Sequence, residues 1–387
     1  MRTGLDVFRD QQFAPLRGRR VGLVCHAASV DRDLNHAADL LAAAGVELVA
    51  LFGPEHGIHG QAQDLIGVGD SAEGRLRVHS LYRDTVESLR PTAEQLRGLD
   101  ALVIDVQDVG SRYYTFSATM LYCLEAAAAN RVAVFVLDRP NPVGGVHVEG
   151  PTLSPGFDSF VGPHPVAIRH GLTLGEYARL FRADRGLDVD LTVVPCDGWR
   201  RSMAFEQTGL PWVLPSPNMP TPDTAVVYPG QCLLEGTNLS EGRGTTRPFE
   251  LCGAPWLDAA AVARRLEGDR LPGVRFRPAY FRPMFQKFAG ADCGGGQLHV
   301  TDREAFQPVR SGLAVLAVMR DLSGDRFAWR TEVYEFVADR PAIDLLFGSD
   351  RERRALEAGT PWRDVAAAWE GEEAAFRERR RPFLLYE

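Results

Sequence analysis

The sequence predicts an α/β fold: a Rossmann-like, mostly parallel sheet with helices on both faces, joined to a smaller α+β region. Three observations carry this. Short, predominantly apolar runs recur at 20–26, 46–52, 101–106 and 132–137, as expected of strands buried on both faces. Stretches of helical composition lie between them, and strand–helix alternation is the pattern of a parallel sheet. Polar groups gather just after the apolar runs, on the edge where such sheets bind ligands.

Taken in order, 20–26 is a first strand, followed by a polar turn and a helix over 35–44. The strand 46–52 empties into Gly53-Pro54-Glu55-His56-Gly57-Ile58-His59-Gly60, a turn whose Gly and Pro bracket one carboxylate and two imidazoles. A weaker strand is expected at 77–82, a short helix at 92–97 and a strong strand at 101–106. A helix follows over 115–130, where Ala126 to Ala129 supply propensity, and then a strand at 132–137. The Pro/Gly-rich stretch from 138 to about 171 contains Phe157, Phe160, Val161 and Val166, so it is expected to fold over the active end of the sheet. A helix at 173–183 and a strand at 190–194 complete the pattern. From 210 to 255 Pro, Gly, Asn and Thr are dense and periodicity is weak, which reads as a hinge and one wall of a cleft. Beyond it, helices are expected near 257–266, 309–322 and after 342, and strands near 274–277 and 297–301. At 387 residues and roughly 150 residues per domain, the expected division is 1–222, a Rossmann-like catalytic domain, and 223–387, an α+β domain completing the cleft.

Composition excludes several functions. A net charge of -8 with 24% charged residues leaves no basic footprint for nucleic acid or anionic lipid. No stretch approaches the roughly 18 apolar residues of a membrane span, and the N-terminus lacks an apolar signal core. The six cysteines lie far apart without a C-x-x-C pair, as reduced core residues do. A cytoplasmic protein without metal or other cofactor is expected; oligomeric state is not readable.

Four strand ends or loops supply the candidate chemistry: Glu55, His56 and His59; Asp105, Gln107, Asp108 and Arg112; Asp138, Arg139 and Asn141; and Glu149. The C-terminal ends of parallel strands share an edge, so these groups are expected to converge, with Glu55, Asp105, Asp138 and Glu149 lining one cleft.

Gly-Pro-Glu-His-Gly at 53–57, Asp-Val-Gln-Asp-Val-Gly at 105–110 leading to Arg112-Tyr113-Tyr114-Thr115, Asp-Arg-Pro-Asn-Pro at 138–142, Pro-Ser-Pro-Asn-Met-Pro-Thr at 215–221 and Glu-Gly-Thr-Asn-Leu-Ser-Glu-Gly-Arg-Gly-Thr-Thr at 235–246 together resemble the exo-β-N-acetylmuramidase family of bacterial glycoside hydrolases. The resemblance spans nearly the whole chain. It implies a Rossmann-like domain bearing the site, a smaller domain beside it, and release of terminal N-acetylmuramic acid from the non-reducing end of peptidoglycan fragments. It also implies Glu55 as catalytic. His26-Ala27-Ala28 departs from the more polar, Asn-containing turn of many relatives.

Glycoside cleavage needs an acid for the leaving oxygen, plus a base, a nucleophile or the substrate's own acetamido group. Glu55, walled by Phe52, Pro54 and Ile58, is the expected acid. His56, Asp105 and Glu149 are the other catalytic candidates, with Asp108 and Glu241 also available as partner carboxylates. The lactyl carboxylate of the substrate calls for a fork-shaped cation, and Arg112, Arg243 and Arg247 are candidates. Gln107, Asn218 and Asn238 are candidates for hydroxyl or acetamide groups, and Asp108, Asp138, Arg139, Asn141 and Glu241 for the remaining substrate contacts. Retention, inversion and acetamide assistance all stay open. Two other classes compete: a metal-dependent hydrolase using His56 and His59, and a non-catalytic amino-sugar-binding protein.

Overall fold

The computed structural model describes residues 1–63, 66–74 and 76–387. Its main sheet holds β1 (Arg20–Cys25), β2 (Glu47–Gly53), β3 (Ser71–Glu73), β4 (Leu76–Ser80), β5 (Ala101–Asp105), β6 (Ala133–Leu137) and β7 (Leu191–Val194) in the order β3-β4-β2-β1-β5-β6-β7. Every pairing is parallel except that of β3 with β4. Counting the parallel strands alone, the order is 3-2-1-4-5-6, the doubly wound arrangement in which ligands bind where the chain reverses direction across the sheet. That switch point lies between β1 and β5. A second sheet, β8 (Leu251–Ala254), β9 (Val274–Phe281) and β10 (Cys293–Val300), is antiparallel in the order β8-β10-β9.

Period-two alternation divides the buried strand residues between two apolar clusters. Leu23, Val103, Phe135 and Leu137 join Leu5, Phe8 and Leu41 on the face covered by the helices Gly4–Asp10 and Ala37–Ala43. Val24, Phe52, Ile104, Val134 and Val136 point the other way, onto the helices Phe116–Asn130 and Leu174–Arg185. That second cluster runs on without a break into Tyr228, Leu313 and Leu346 of the C-terminal part.

Strands β3 and β8 and two helices were not expected. The helix Gly4–Asp10, closed by a Thr3/Asp6 capping box, precedes the first strand. Within the stretch read as a hinge lies the helix Pro222–Gln231, with Thr221 as N-cap and Pro222 in the first turn, where a missing N–H costs nothing. It packs on the helix Pro308–Ser323 through Gly230 and Gly312; a Cβ on Gly312 would lie 2.2 Å from the Gly230 carbonyl oxygen.

Candidate active site

Beyond β2 the chain turns sharply. His56 and Gly57 adopt left-handed backbone (φ 70° and 76°), and the Gly57 N–H returns to the Pro54 carbonyl at 3.0 Å. Gly53 has room only for hydrogen, since a Cβ would meet the Ile58 nitrogen at 3.0 Å. This turn buries Glu55, 5% exposed, where the Thr115 hydroxyl donates to its Oε2 at 2.6 Å. The 111–115 loop after β5 is in turn anchored by Arg112, whose guanidinium donates to the carbonyls of Pro151, Val166 and Leu346. Glu55 and Thr115 thus flank the end of β1, at the switch point.

Glu55, His56, Tyr113, Tyr114 and Thr115 form one side of a pocket; Ser216, Asn218, Met219 and Tyr228 continue it, and Glu235, Arg243, Phe249, Tyr334 and Glu335 close it from the C-terminal part. The room between these walls is small, about 30 Å3. A roomier cavity of about 490 Å3 lies between the 142–147 loop and residues 302–308, but Glu55 is not among its walls.

The electrostatics of the pocket follow from its partners. Burial lowers the His56 pKa, against the opposing pull of Glu55; its neutral ring donates from Nδ1 to the Ala62 carbonyl at 2.8 Å. Burial alone would raise Glu235, but Arg243, donating at 2.7 Å, and the Tyr334 hydroxyl at 2.9 Å hold it below the ordinary value. Arg243 also stands 3.6 Å from Glu241, which takes a hydrogen bond from Lys287 at 2.9 Å. Asn218 donates to Gln63 at 2.8 Å.

Tyr334 and Val337 exchange backbone hydrogen bonds of 3.0 Å in both directions, so Glu335 and Phe336 are the central pair of a two-residue turn, with φ of 45° and 68°. Both being left-handed makes this the type I′ geometry, which normally takes Asn-Gly or Gly-Gly. Here it places the Glu335 carboxylate in the pocket wall, accepting from the Tyr82 hydroxyl at 3.1 Å, with Phe336 edge-on to the Tyr82 ring.

Of the candidates read from the sequence, Glu55, His56, Asn218 and Arg243 meet in this pocket, with Glu241 directly behind Arg243. The others are elsewhere, and the expected cleft of Glu55, Asp105, Asp138 and Glu149 is not formed. Asp105 is the last residue of β5 and, by strand parity, projects with Val103 to the opposite face; both its oxygens take hydrogen bonds from Arg139 (2.5 and 2.8 Å), which occupies Arg139 too. Asp138 follows β6, three strand spacings from β2 or roughly 14 Å. It accepts from Thr173, Gly175 and Tyr386, holding the start of the helix Leu174–Arg185. Glu149 likewise accepts from the Arg310 N–H at the start of the helix Pro308–Ser323. Gln107 donates to the Asp108 and Pro140 carbonyls, Asp108 accepts from Gly110, and Asn141 bridges Leu172 and Val143. Arg112 binds three carbonyls through its two terminal nitrogens, Asn238 ties residues 326 and 328, and the half-exposed Arg247 pairs with Glu250.

His26, at the end of β1, also serves the scaffold: its ring joins the Pro215 carbonyl and the Gln107 N–H. His59 is exposed while His56 is buried, and among the described residues no three His, Cys, Asp or Glu side chains are grouped to hold a metal ion. Sequence reasoning missed the Tyr113–Thr115 wall as a site, together with Glu235, Tyr334 and Glu335. Glu235 opens a quoted motif, whereas nothing around Glu335 marked it.

Residues 21–223 match the N-terminal region, and 226–386 the C-terminal region, of exo-β-N-acetylmuramidase NamZ. The chain is 43% identical to the peptidoglycan β-N-acetylmuramidase NamZ of Bacillus subtilis (strain 168), over 100% of this chain and 91% of that protein. A crystal structure of a DUF1343 family protein from Bacteroides fragilis superposes with a TM-score of 0.90 at 35% identity, covering 100% of this chain and 99% of that one. A second from the same organism gives 0.77 at 28%, with the same coverage. With both regions matched in order along nearly its whole length, the chain belongs to the exo-β-N-acetylmuramidase NamZ family.

Proposed function

We propose that this chain is an exo-acting β-N-acetylmuramidase that releases N-acetylmuramic acid from the non-reducing end of peptidoglycan fragments, with Glu55 as general acid. The observation that carries the reading is Glu55 itself: a buried carboxyl fixed by Thr115, in a pocket walled by Tyr113, Tyr114 and Tyr228, on a family member. An acid positioned there protonates the departing glycosidic oxygen while charge develops on the sugar ring. Arg243 is the pocket cation suited to the lactyl carboxylate, held ready by Glu235 and Glu241. Tyrosine faces supply the apolar surface on which a pyranose ring packs. A reducing, intracellular setting is part of the proposal, supported by six free, buried cysteines.

The test is product analysis. Incubation with a disaccharide bearing N-acetylmuramic acid at its non-reducing end should yield the free amino sugar, and long glycans should shorten only from that end. Release of internal fragments from long glycans at a comparable rate contradicts the exo reading.

A further inference from the structure

We infer that the roomier cavity, apart from the Glu55 pocket, is a second binding site, for a small monocarboxylic acid with an apolar body. The inference goes beyond the muramidase reading and does not rest on it. The cavity offers about 490 Å3, a volume ordinary for small-ligand sites. The helix Pro222–Gln231 contributes Tyr228 to the Glu55 pocket and Val226 to this cavity, so the two sites share a helix but not a wall.

Arginines 169, 201 and 303 line the cavity, and two of them are neutralised within the protein. Arg201 pairs with Glu176 at 2.6 Å, and Arg303 with Glu206 at 2.6 Å and Asp223 at 2.5 Å. Arg169 is different. It is 6% exposed, and among the described residues its guanidinium makes no ion pair and one hydrogen bond, from Nη2 to the Val143 carbonyl at 2.6 Å. Its Nε is enclosed without a partner, as is Nη1 of Arg303 in the same cavity wall. Glu149 pairs with Arg169 through the backbone, but its Oε1 accepts from the Arg310 N–H instead. Burial lowers the Arg169 pKa, with Glu149 opposing, the sign of a charge that its surroundings leave short of a counterion.

The lining selects the anion. Val143, Val146, Met203, Val226 and Phe306 supply an apolar wall, which suits the body of an organic acid rather than a hydrated inorganic ion. Asp302 and Glu304 stand in the same wall and repel any negative charge beyond the one that Arg169 balances. His147, also in the wall, has its pKa lowered by burial and adds no cation at neutral pH. A carboxylate is the monoanion that a guanidinium holds best, and Arg169 has committed only one N–H group.

The test is titration calorimetry on the full chain, with 3-phenylpropionate as the probe beside its uncharged amide and inorganic phosphate. One molecule of the acid should bind per chain, and the amide should bind at least about tenfold more weakly, having lost the charge-assisted hydrogen bonds. Phosphate should bind more weakly than the acid. Glu55→Gln should leave binding of the acid unchanged, which keeps the result independent of the muramidase reading. Arg169→Met should abolish it. Since Arg169 is buried and its loss also bears on folding, Met203→Trp is the second variant: it fills the cavity, leaves Arg169 in place and should abolish binding as well. Absence of binding to the unaltered chain, equal binding of acid and amide, tighter binding of phosphate, loss of binding in Glu55→Gln, or binding retained in Arg169→Met or in Met203→Trp each overturns the site.

Discussion

Asp108 shows how one buried side chain sets a pH dependence. Burial, offset by the N–H groups of Gly110 and Val109, pushes its carboxyl up to about 7 from the ordinary aspartate value. The folded chain therefore keeps a proton that the unfolded chain releases near pH 4. Stability from the protonated form is complete below that pH and is lost as pH rises towards 7. Three units at about 1.4 kcal/mol each bound the loss at about 4 kcal/mol. Asp108→Asn keeps an oxygen for the Gly110 N–H and cannot ionise. Its advantage in melting temperature over the parent should widen between pH 4 and 8; a gap independent of pH contradicts the assignment. At this scale the sequence conveyed residue types better than their directions. Glu55 was legible because its turn follows directly on a strand that ends beside the switch point. Asp105 was not, because whether the last strand residue projects to one face or the other depends on register, and a shift of one residue reverses it.

Among the elements, the strands were the most legible, because burial on both faces demands unbroken apolar runs. The helix Pro222–Gln231 was hidden by Pro222, Pro229 and Gly230, residues that usually end helices. Each has a local reason: Pro222 opens the helix, the Pro229 carbonyl accepts from Tyr113, and Gly230 lets the helix Pro308–Ser323 approach. That approach is nearly backbone to backbone, so Gly312→Ala should cost about 1–3 kcal/mol, the usual range for overpacking. Urea denaturation should show a lower midpoint at unchanged slope, and an unshifted midpoint would mean the helices separate freely. The Glu335-Phe336 turn was illegible for the opposite reason. Its residues contradict the turn they form, at about 1–3 kcal/mol for each strained position, and turn chemistry reads only those turns that obey it.

For the whole molecule, the pocket is a junction. Glu55 comes from the doubly wound sheet and Arg243 from the C-terminal part, and one apolar cluster joins the two. The C-terminal segment ties back as well, since Tyr386 donates to Asp138 at 2.6 Å and the Leu385 N–H to Glu176 at 2.8 Å. The parallel architecture was legible because it repeats along the chain. The opposing wall was not, because nothing local to residues 334–337 records what lies across from them. The central claim is that Glu55 protonates the leaving group, and Glu55→Gln tests it most directly, since glutamine keeps an oxygen for Thr115 but has no proton to give. On the natural disaccharide kcat should fall roughly 10²- to 10⁴-fold, about 3 to 5 kcal/mol in the transition state, with little change in binding. On an aryl glycoside whose phenol leaves without protonation the deficit should shrink markedly, whereas the same deficit on both substrates would show that Glu55 is not the acid.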